Sequence, residues 1–258
     1  MSFPRVSRRS FRVWQRNRDV FLSLWKAELV PYAIEPLIIL SALGFGLGFF
    51  IEIDELGGGS YLDFLTPGII AAYTMFSATF ECTYGSYVRM ELQRTYEAII
   101  ATPVNIEDVI TGEILWAATR SLMTAIAIGL VGMALGVVPS PLALLVLPMA
   151  FLMGIMFGSI AMLFTSLAPS ISTFNYFFTL VVTPLYFFGG VFFPLKGLPD
   201  TLARVASFVP MSPAVNIVRA LYGGQLHPGL VWDLLYILAI ALTFFTLSLV
   251  SMRRRLIK

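Results

Sequence analysis

The run LALLVLPMAFLMGIMFGSIAMLF, residues 142–164, carries no charged side chain and a single hydroxyl, Ser159. As a helix it is long and apolar enough to cross the hydrocarbon core of a bilayer, which takes about 20 residues. It does not read as a barrel strand, because such strands alternate apolar and polar positions over about ten residues. Working outward, similar stretches run from Val30 to Phe50, Thr66 to Tyr84, Leu115 to Val137, Phe174 to Phe193 and Leu230 to Val250. The expected fold is an all-α integral membrane domain of six transmembrane helices.

The 258-residue composition agrees: 58% of residues are apolar and only 12% charged, against about 25% charged in a soluble domain. The net charge of +2, from 17 basic and 15 acidic side chains, supplies no basic field for nucleic acid. A lone cysteine, Cys82, and a lone histidine, His227, leave no internal disulfide and no histidine-based metal cluster.

Charge placement sets an orientation. Arg5, Arg8, Arg9, Arg12, Arg16, Arg18 and Lys26 precede the first stretch, and Arg253, Arg254, Arg255 and Lys258 follow the last. Both termini are therefore expected on the cytoplasmic side. The loop with Glu52, Asp54, Glu55 and Asp63 then falls outside, and the one with Arg89 and Arg94 inside. Lys196, Arg204 and Arg219 run against this vote but are outnumbered. No cleavable signal peptide is expected. Residues 1–29 read as an amphipathic interfacial helix, with Phe11, Trp14, Phe21, Leu22, Trp25 and Leu29 on one arc and the basic residues on another. Residues 30–250 form the bundle and 251–258 a basic cytoplasmic tail. Glycine pairs spaced by four, Gly44/Gly48, Gly132/Gly136 and Gly154/Gly158, suit close helix packing or a dimer seam.

Several chemistries are disfavoured. An intramembrane serine hydrolase built on Ser159 would need a base, and His227 lies outside the apolar stretches. A phosphate loop needs Gly-Lys-Ser or Gly-Lys-Thr, yet none of Lys26, Lys196 and Lys258 follows a glycine. A passive channel would need more polar lining than the spans offer. Glu35, Glu81 and Arg120 are ionisable groups inside the stretches, with Asp233 at the edge of the last, and such groups are functional candidates by default. Glu81, near Tyr73, Phe80 and Tyr84, is equally a candidate contact or a structural group. Glu35 reads as an interfacial carboxylate. Arg120 reads as structural, on the helix face of Glu113 about 10 Å further along.

Residues 89–104, RMELQRTYEAIIATPV, read as a short amphipathic helix stopped by Pro103, able to present Tyr96, Ile99 and Ile100 to a soluble partner or to be a plain solvated loop. The pattern Arg94-Thr95-Tyr96-Glu97, then Thr102-Pro103-Val104 and Gly112-Glu113, resembles the coupling region of type-2 ABC export permeases. Thr183-Pro184-Leu185-Tyr186-Phe187-Phe188-Gly189-Gly190, Leu198-Pro199 and Pro210-Met211-Ser212-Pro213 are similar to that family too, above all to its lipo-oligosaccharide nodulation-factor branch. Arg94-Thr95 departs from the Gly-Thr of many relatives.

The resemblance implies a bacterial inner-membrane half-transporter: two copies of this chain with two copies of a separate ATPase, which holds ATP and Mg while this chain holds no cofactor. It implies that residues 1–29 are a connecting helix. Arg94, Thr95, Tyr96, Glu97, Ala98, Ile99, Ala101 and Thr102 would be the coupling element, and Lys196 to Pro228 a re-entrant helical segment between spans five and six. ATP binding would tilt the first, second and fifth spans and open a path at the dimer interface. Tyr73, Phe76, Phe80, Glu81, Tyr84, Phe177 and Tyr186 are the candidates to line that path, past sugar rings or acyl chains, with membrane lipid as the remaining partner. Export of a hydrophobic drug-like compound is the alternative.

Overall fold

The computed structural model of the chain describes residues 6–50, 60–195, 199, 201, 206 and 208–257, and of residues 26–33 the backbone alone. Among the described residues the chain is helical, without a strand. Helix α1 runs Ser10–Gly46, α2 Tyr61–Phe80, α3 Thr95–Ile100, α4 Ile106–Ala134, α5 Val146–Leu167, α6 Thr173–Phe188, α7 Met211–Gly223 and α8 Gly229–Leu256. A 3₁₀ turn, Pro141–Leu145, leads into α5. Among the described residues three helical stretches, Ile106–Ala134, Pro141–Leu167 and Gly229–Leu256, are long and apolar enough to cross a membrane, while the apolar runs Ile34–Gly46 and Thr173–Phe188 are shorter.

Helix α1 has 37 residues, about 55 Å at 1.5 Å each, and is continuous through the expected boundary at residue 29. It meets no glycine before Gly44. The stripe it packs inside the chain shares only Phe21 with the aromatic arc. Ser10, Val13, Asn17 and Phe21, spaced by three or four, are buried, whereas Phe11, Leu22 and Trp25 are exposed. Helix α4 accepts that stripe closely: a Cβ on Gly112 would sit 2.5 Å from the Val13 Cβ.

Helix α2 starts with a capping box, in which the Ser60 hydroxyl accepts from the Asp63 N–H and the Asp63 carboxylate accepts from the Ser60 N–H. It does not stop at Phe80. Two π-turns, Glu81–Gly85 and Val88–Leu92, prolong it, so Arg89 belongs to a helix and the loop shrinks to the residues around α3. The core lies where α4 and α5 pack together between α2 and α8. Gly154 makes the α4–α5 approach possible, since a Cβ there would meet the Ala118 Cα at 2.6 Å. That glycine serves packing inside one chain.

Ser7 and Arg253 sit at one end of the bundle. The Ser7 N–H and hydroxyl donate to Asp108 at 2.6 and 2.7 Å, and Arg253 donates to Glu107 at 3.0 Å. Residues 251–256 are the last turns of α8 rather than a tail. Arg255 donates to the carbonyls of Thr165 and Ala168 at the end of α5, and to Glu91 at 2.8 Å, which satisfies carbonyls a helix end leaves orphaned. At the opposite end, the Ser140 N–H and hydroxyl donate to the carbonyls of Tyr222 and Leu221 at 2.8 and 2.7 Å. The length of α4, about 44 Å, separates the two ends. Of the expected re-entrant stretch, α7 is described, while residues 196–198, 200, 202–205 and 207 lie outside the described residues, as do Glu52, Asp54 and Glu55.

Candidate functional site

The candidate site grows from helix α2, whose apolar sequence places one face against α4 and turns Tyr73, Phe76, Phe80 and Tyr84 towards α6. These four rings, with Glu35, Glu81, Arg120 and Tyr186, line a cavity of 630 Å³. The rings touch edge-on or stacked: Phe76 meets Tyr186 at 5.1 Å and Phe80 meets Phe178 at 4.4 Å between centroids. The Tyr73 hydroxyl donates to Glu35 Oε1 at 2.9 Å, and the Tyr84 hydroxyl donates to Asn175 Oδ1 at 3.1 Å. Broad apolar ring faces beside carboxylate, hydroxyl and guanidinium groups can hold an amphiphile that is flat and apolar on one side and polar at its edges.

Six of the seven path candidates meet here: Tyr73, Phe76, Phe80, Glu81, Tyr84 and Tyr186. Phe177 does not. It is 5% exposed and stacks on Phe164 at 4.4 Å, while the adjacent Phe178 faces Phe80 and Tyr84. A π-turn, Phe178–Val182, begins at that point and shifts the helical phase. Glu35, read as merely interfacial, belongs to the cavity wall.

A second cavity of 410 Å³ lies beside the first and shares Glu81, Tyr84, Gly85 and Arg120 with it. It is otherwise lined by Arg16, Asn17, Arg89, Gln93 and neighbouring apolar groups of α1 and α4. The wall between them is part of a buried charge cluster. Arg89 Nη2 reaches Glu81 Oε1 at 2.7 Å and also pairs with Glu113, to which its Nε donates at 2.9 Å. Arg120 Nη1 stands 3.2 Å from Glu81 Oε2. The Asn17 amide and the Ser86 hydroxyl each donate to Glu113 at 2.9 Å. Glu113 is fully buried, and two acids against two bases leave the set neutral, the condition under which buried charges persist. Arg120, expected to be structural with or without Glu113 as its partner, pairs in this set with Glu81.

Directly beneath this cluster sits α3. Arg94 starts it in the left-handed region, φ 51° and ψ 28°, the conformation a glycine adopts without cost. Tyr96 is 1% exposed, and burial, with the Glu113 charge second, pushes its phenol above the ordinary tyrosine range. It is an anchor rather than a knob for a partner. Thr95, Ile99 and Ile100 are half-buried, which leaves Arg94, Glu97, Ala98, Ala101 and Thr102 as the outward face. Ser159 is fully buried, its hydroxyl without a partner among the described residues.

Residues 6–222 match the family described as ABC-2 type transporter. The chain is 38% identical over 248 residues to Nodulation protein J of Rhizobium leguminosarum bv. trifolii, covering 95% of this chain and 93% of that one. It is 36% identical over 246 residues to Nodulation protein J of Rhizobium meliloti (strain 1021), at 95% and 92% coverage. To the inner membrane transport permease YadH of Escherichia coli (strain K12) it is 23% identical over 187 residues, 72% of each chain.

Proposed function

The chain belongs to the ABC-2 type transporter family, and from that premise we propose that it is the membrane half of an ATP-driven exporter of lipo-oligosaccharides or related lipid-linked glycans. A separate ATPase supplies the nucleotide site, a second copy of this chain completes the path, and six crossings of the bacterial inner membrane leave both termini in the cytoplasm. The outward face of α3, with Glu97, Ala98, Ala101 and Thr102, takes the ATPase. Tyr96 carries its movement to the Arg89–Glu113 pair, and thus to the wall between the two cavities.

The observation that carries the substrate class is the lining of the 630 Å³ cavity, where aromatic faces alternate with Glu35, Glu81 and Arg120. Sugar rings present C–H faces to aromatics and hydroxyls to carboxylates, and an acyl chain fits between Phe76 and Phe80. The names of the relatives, Nodulation protein J, support the lipo-oligosaccharide branch over a drug-like substrate.

The test reconstitutes the chain with an ABC ATPase that co-purifies with it and follows substrate-stimulated hydrolysis and export from vesicles. Glu97→Lys, on an exposed position, should leave the fold intact and remove most of the stimulation. Tyr73→Phe, which deletes the bond to Glu35, should weaken retention of a lipid-linked glycan by up to about tenfold. Unchanged stimulation with Glu97→Lys would refute the docking face. Retention of a hydrophobic drug and of no glycan would refute the substrate class.

A further inference from the structure

At the end of the bundle far from α3 lies a third cavity, of 210 Å³, which the export path does not use. Two of its wall groups have unmet hydrogen-bonding capacity. Tyr222 is 6% exposed and its hydroxyl has no partner. Arg219 stacks its guanidinium over the Phe64 ring at 3.9 Å and donates Nη2 to the Gly190 carbonyl at 3.0 Å, but its buried Nε has no partner either. Among the described residues no carboxylate pairs with Arg219, so a cation stands largely desolvated with only a ring face and a carbonyl to hold it.

The same wall holds one acid, Asp63, with Ser60 and Gln225 as its other polar side chains. The Asp63 Oδ2 already accepts from the Ser60 N–H and hydroxyl, both at 2.9 Å, which leaves its other oxygen for a ligand. A cavity with one guanidinium, one phenol donor and one carboxylate suits a small zwitterion that is anionic at one end and cationic at the other.

Tyr222 also lines an apolar cavity of 350 Å³ between α4 and the start of α5, beside Ile126, Leu130, Met133, Leu144 and Leu147. Ile126, Leu130, Met133 and Leu144 are exposed, which opens this slot on the side where acyl chains lie in a membrane. A polar seat and an apolar slot meeting at one side chain are the two halves of a phospholipid site.

We propose that this end of the chain binds a phosphoethanolamine-headed phospholipid, its phosphate on Arg219 and Tyr222, its ammonium on Asp63, and one acyl chain between α4 and α5. A charge-assisted bond to phosphate is stronger than a neutral one, and a turn of the Arg219 and Tyr222 side chains towards the ligand would pair an Nε and a hydroxyl that are now buried without partners.

The experiment uses the full chain, delipidated in detergent, titrated with phosphatidylethanolamine, phosphatidylglycerol or inorganic phosphate, and read by native mass spectrometry and thermal shift. Phosphatidylethanolamine should bind and raise the melting temperature, while phosphatidylglycerol binds more weakly and phosphate alone gives no shift. Tyr222→Phe removes only a hydroxyl and should weaken binding roughly tenfold; Arg219→Gln should weaken it further; Asp63→Asn should erase the preference for the amine headgroup. The proposal is overturned if Tyr222→Phe and Arg219→Gln bind the lipid as the wild type does. It is equally overturned if phosphate alone reproduces the shift, or if the wild type shows no preference for phosphatidylethanolamine over phosphatidylglycerol.

Discussion

Replacing Arg89 by alanine tests the buried cluster most directly. The guanidinium is 16% exposed and its partner Glu113 not at all, so solvent screens the pair little. With Arg89 gone, Arg120 alone faces two carboxylates, and Glu113 keeps only Asn17 and Ser86 among the donors seen around it. Removing one member of a buried pair costs about 3–5 kcal/mol, because the survivor is left charged and unpaired. For a chain of this size that is a melting temperature lower by on the order of 10 °C. Adding Glu113→Gln restores neutrality, with Glu81 and Arg120 still paired at 3.2 Å. The double variant should therefore be more stable than Arg89→Ala alone, with a coupling energy of about 2–3 kcal/mol. Unfolding of the purified chain in detergent, followed by circular dichroism for wild type, both single variants and the double, measures this. If the two substitutions simply add, the cluster is not an interacting unit and the reasoning fails.

Two further outcomes follow from the backbone. Arg94→Gly relieves a left-handed residue at the start of α3 and should stabilise the chain by about 1 kcal/mol, seen as a melting temperature higher by a few degrees; no change would mean that Arg94 makes a compensating contact. Gly154→Val places a Cβ 2.6 Å from the Ala118 Cα, backbone that cannot yield cheaply, and should cost at least about 3 kcal/mol, measured as loss of monodisperse protein on size exclusion.

The long apolar helices α4, α5 and α8 were legible because a helix able to cross a bilayer announces itself in hydropathy alone. So was most of the cavity wall, since Tyr73, Phe76, Phe80 and Tyr84 recur at spacings of three and four on one face of α2. Phe177 misled because a π-turn re-phases α6, and nothing local in Phe178–Val182 marks that turn. Arg89 reads as a loop charge because charge normally ends a span, and nothing in the adjoining sequence reveals its pairing with Glu113 on α4. A signal did exist: Glu81 and Arg89 are eight positions apart, Glu113 and Arg120 seven, so each helix carries an acid and a base on one face. The inner stripe of α1 escaped because Ser10 and Asn17 are polar, and only the structure shows Ser10 against Gly112 and Asn17 bonded to Glu113 on α4.

That pairing bears on how the chain is made. A translocon releases helices in order, and a lone charge at mid-membrane costs about 2.5–3.5 kcal/mol on insertion scales. Helix α2 with its extension carries Glu81 and Arg89, whose pairing is internal to one helix, so the two charges form a neutral unit before the rest of the chain exists. Helix α4 follows with its own acid and base. Once the two meet, Arg89 keeps Glu81 and adds Glu113 across the interface, while Glu81 adds Arg120. These added pairs give the two helices a reason to find each other in one register, since a slip of one turn would pull Glu113 from Arg89 and Arg120 from Glu81.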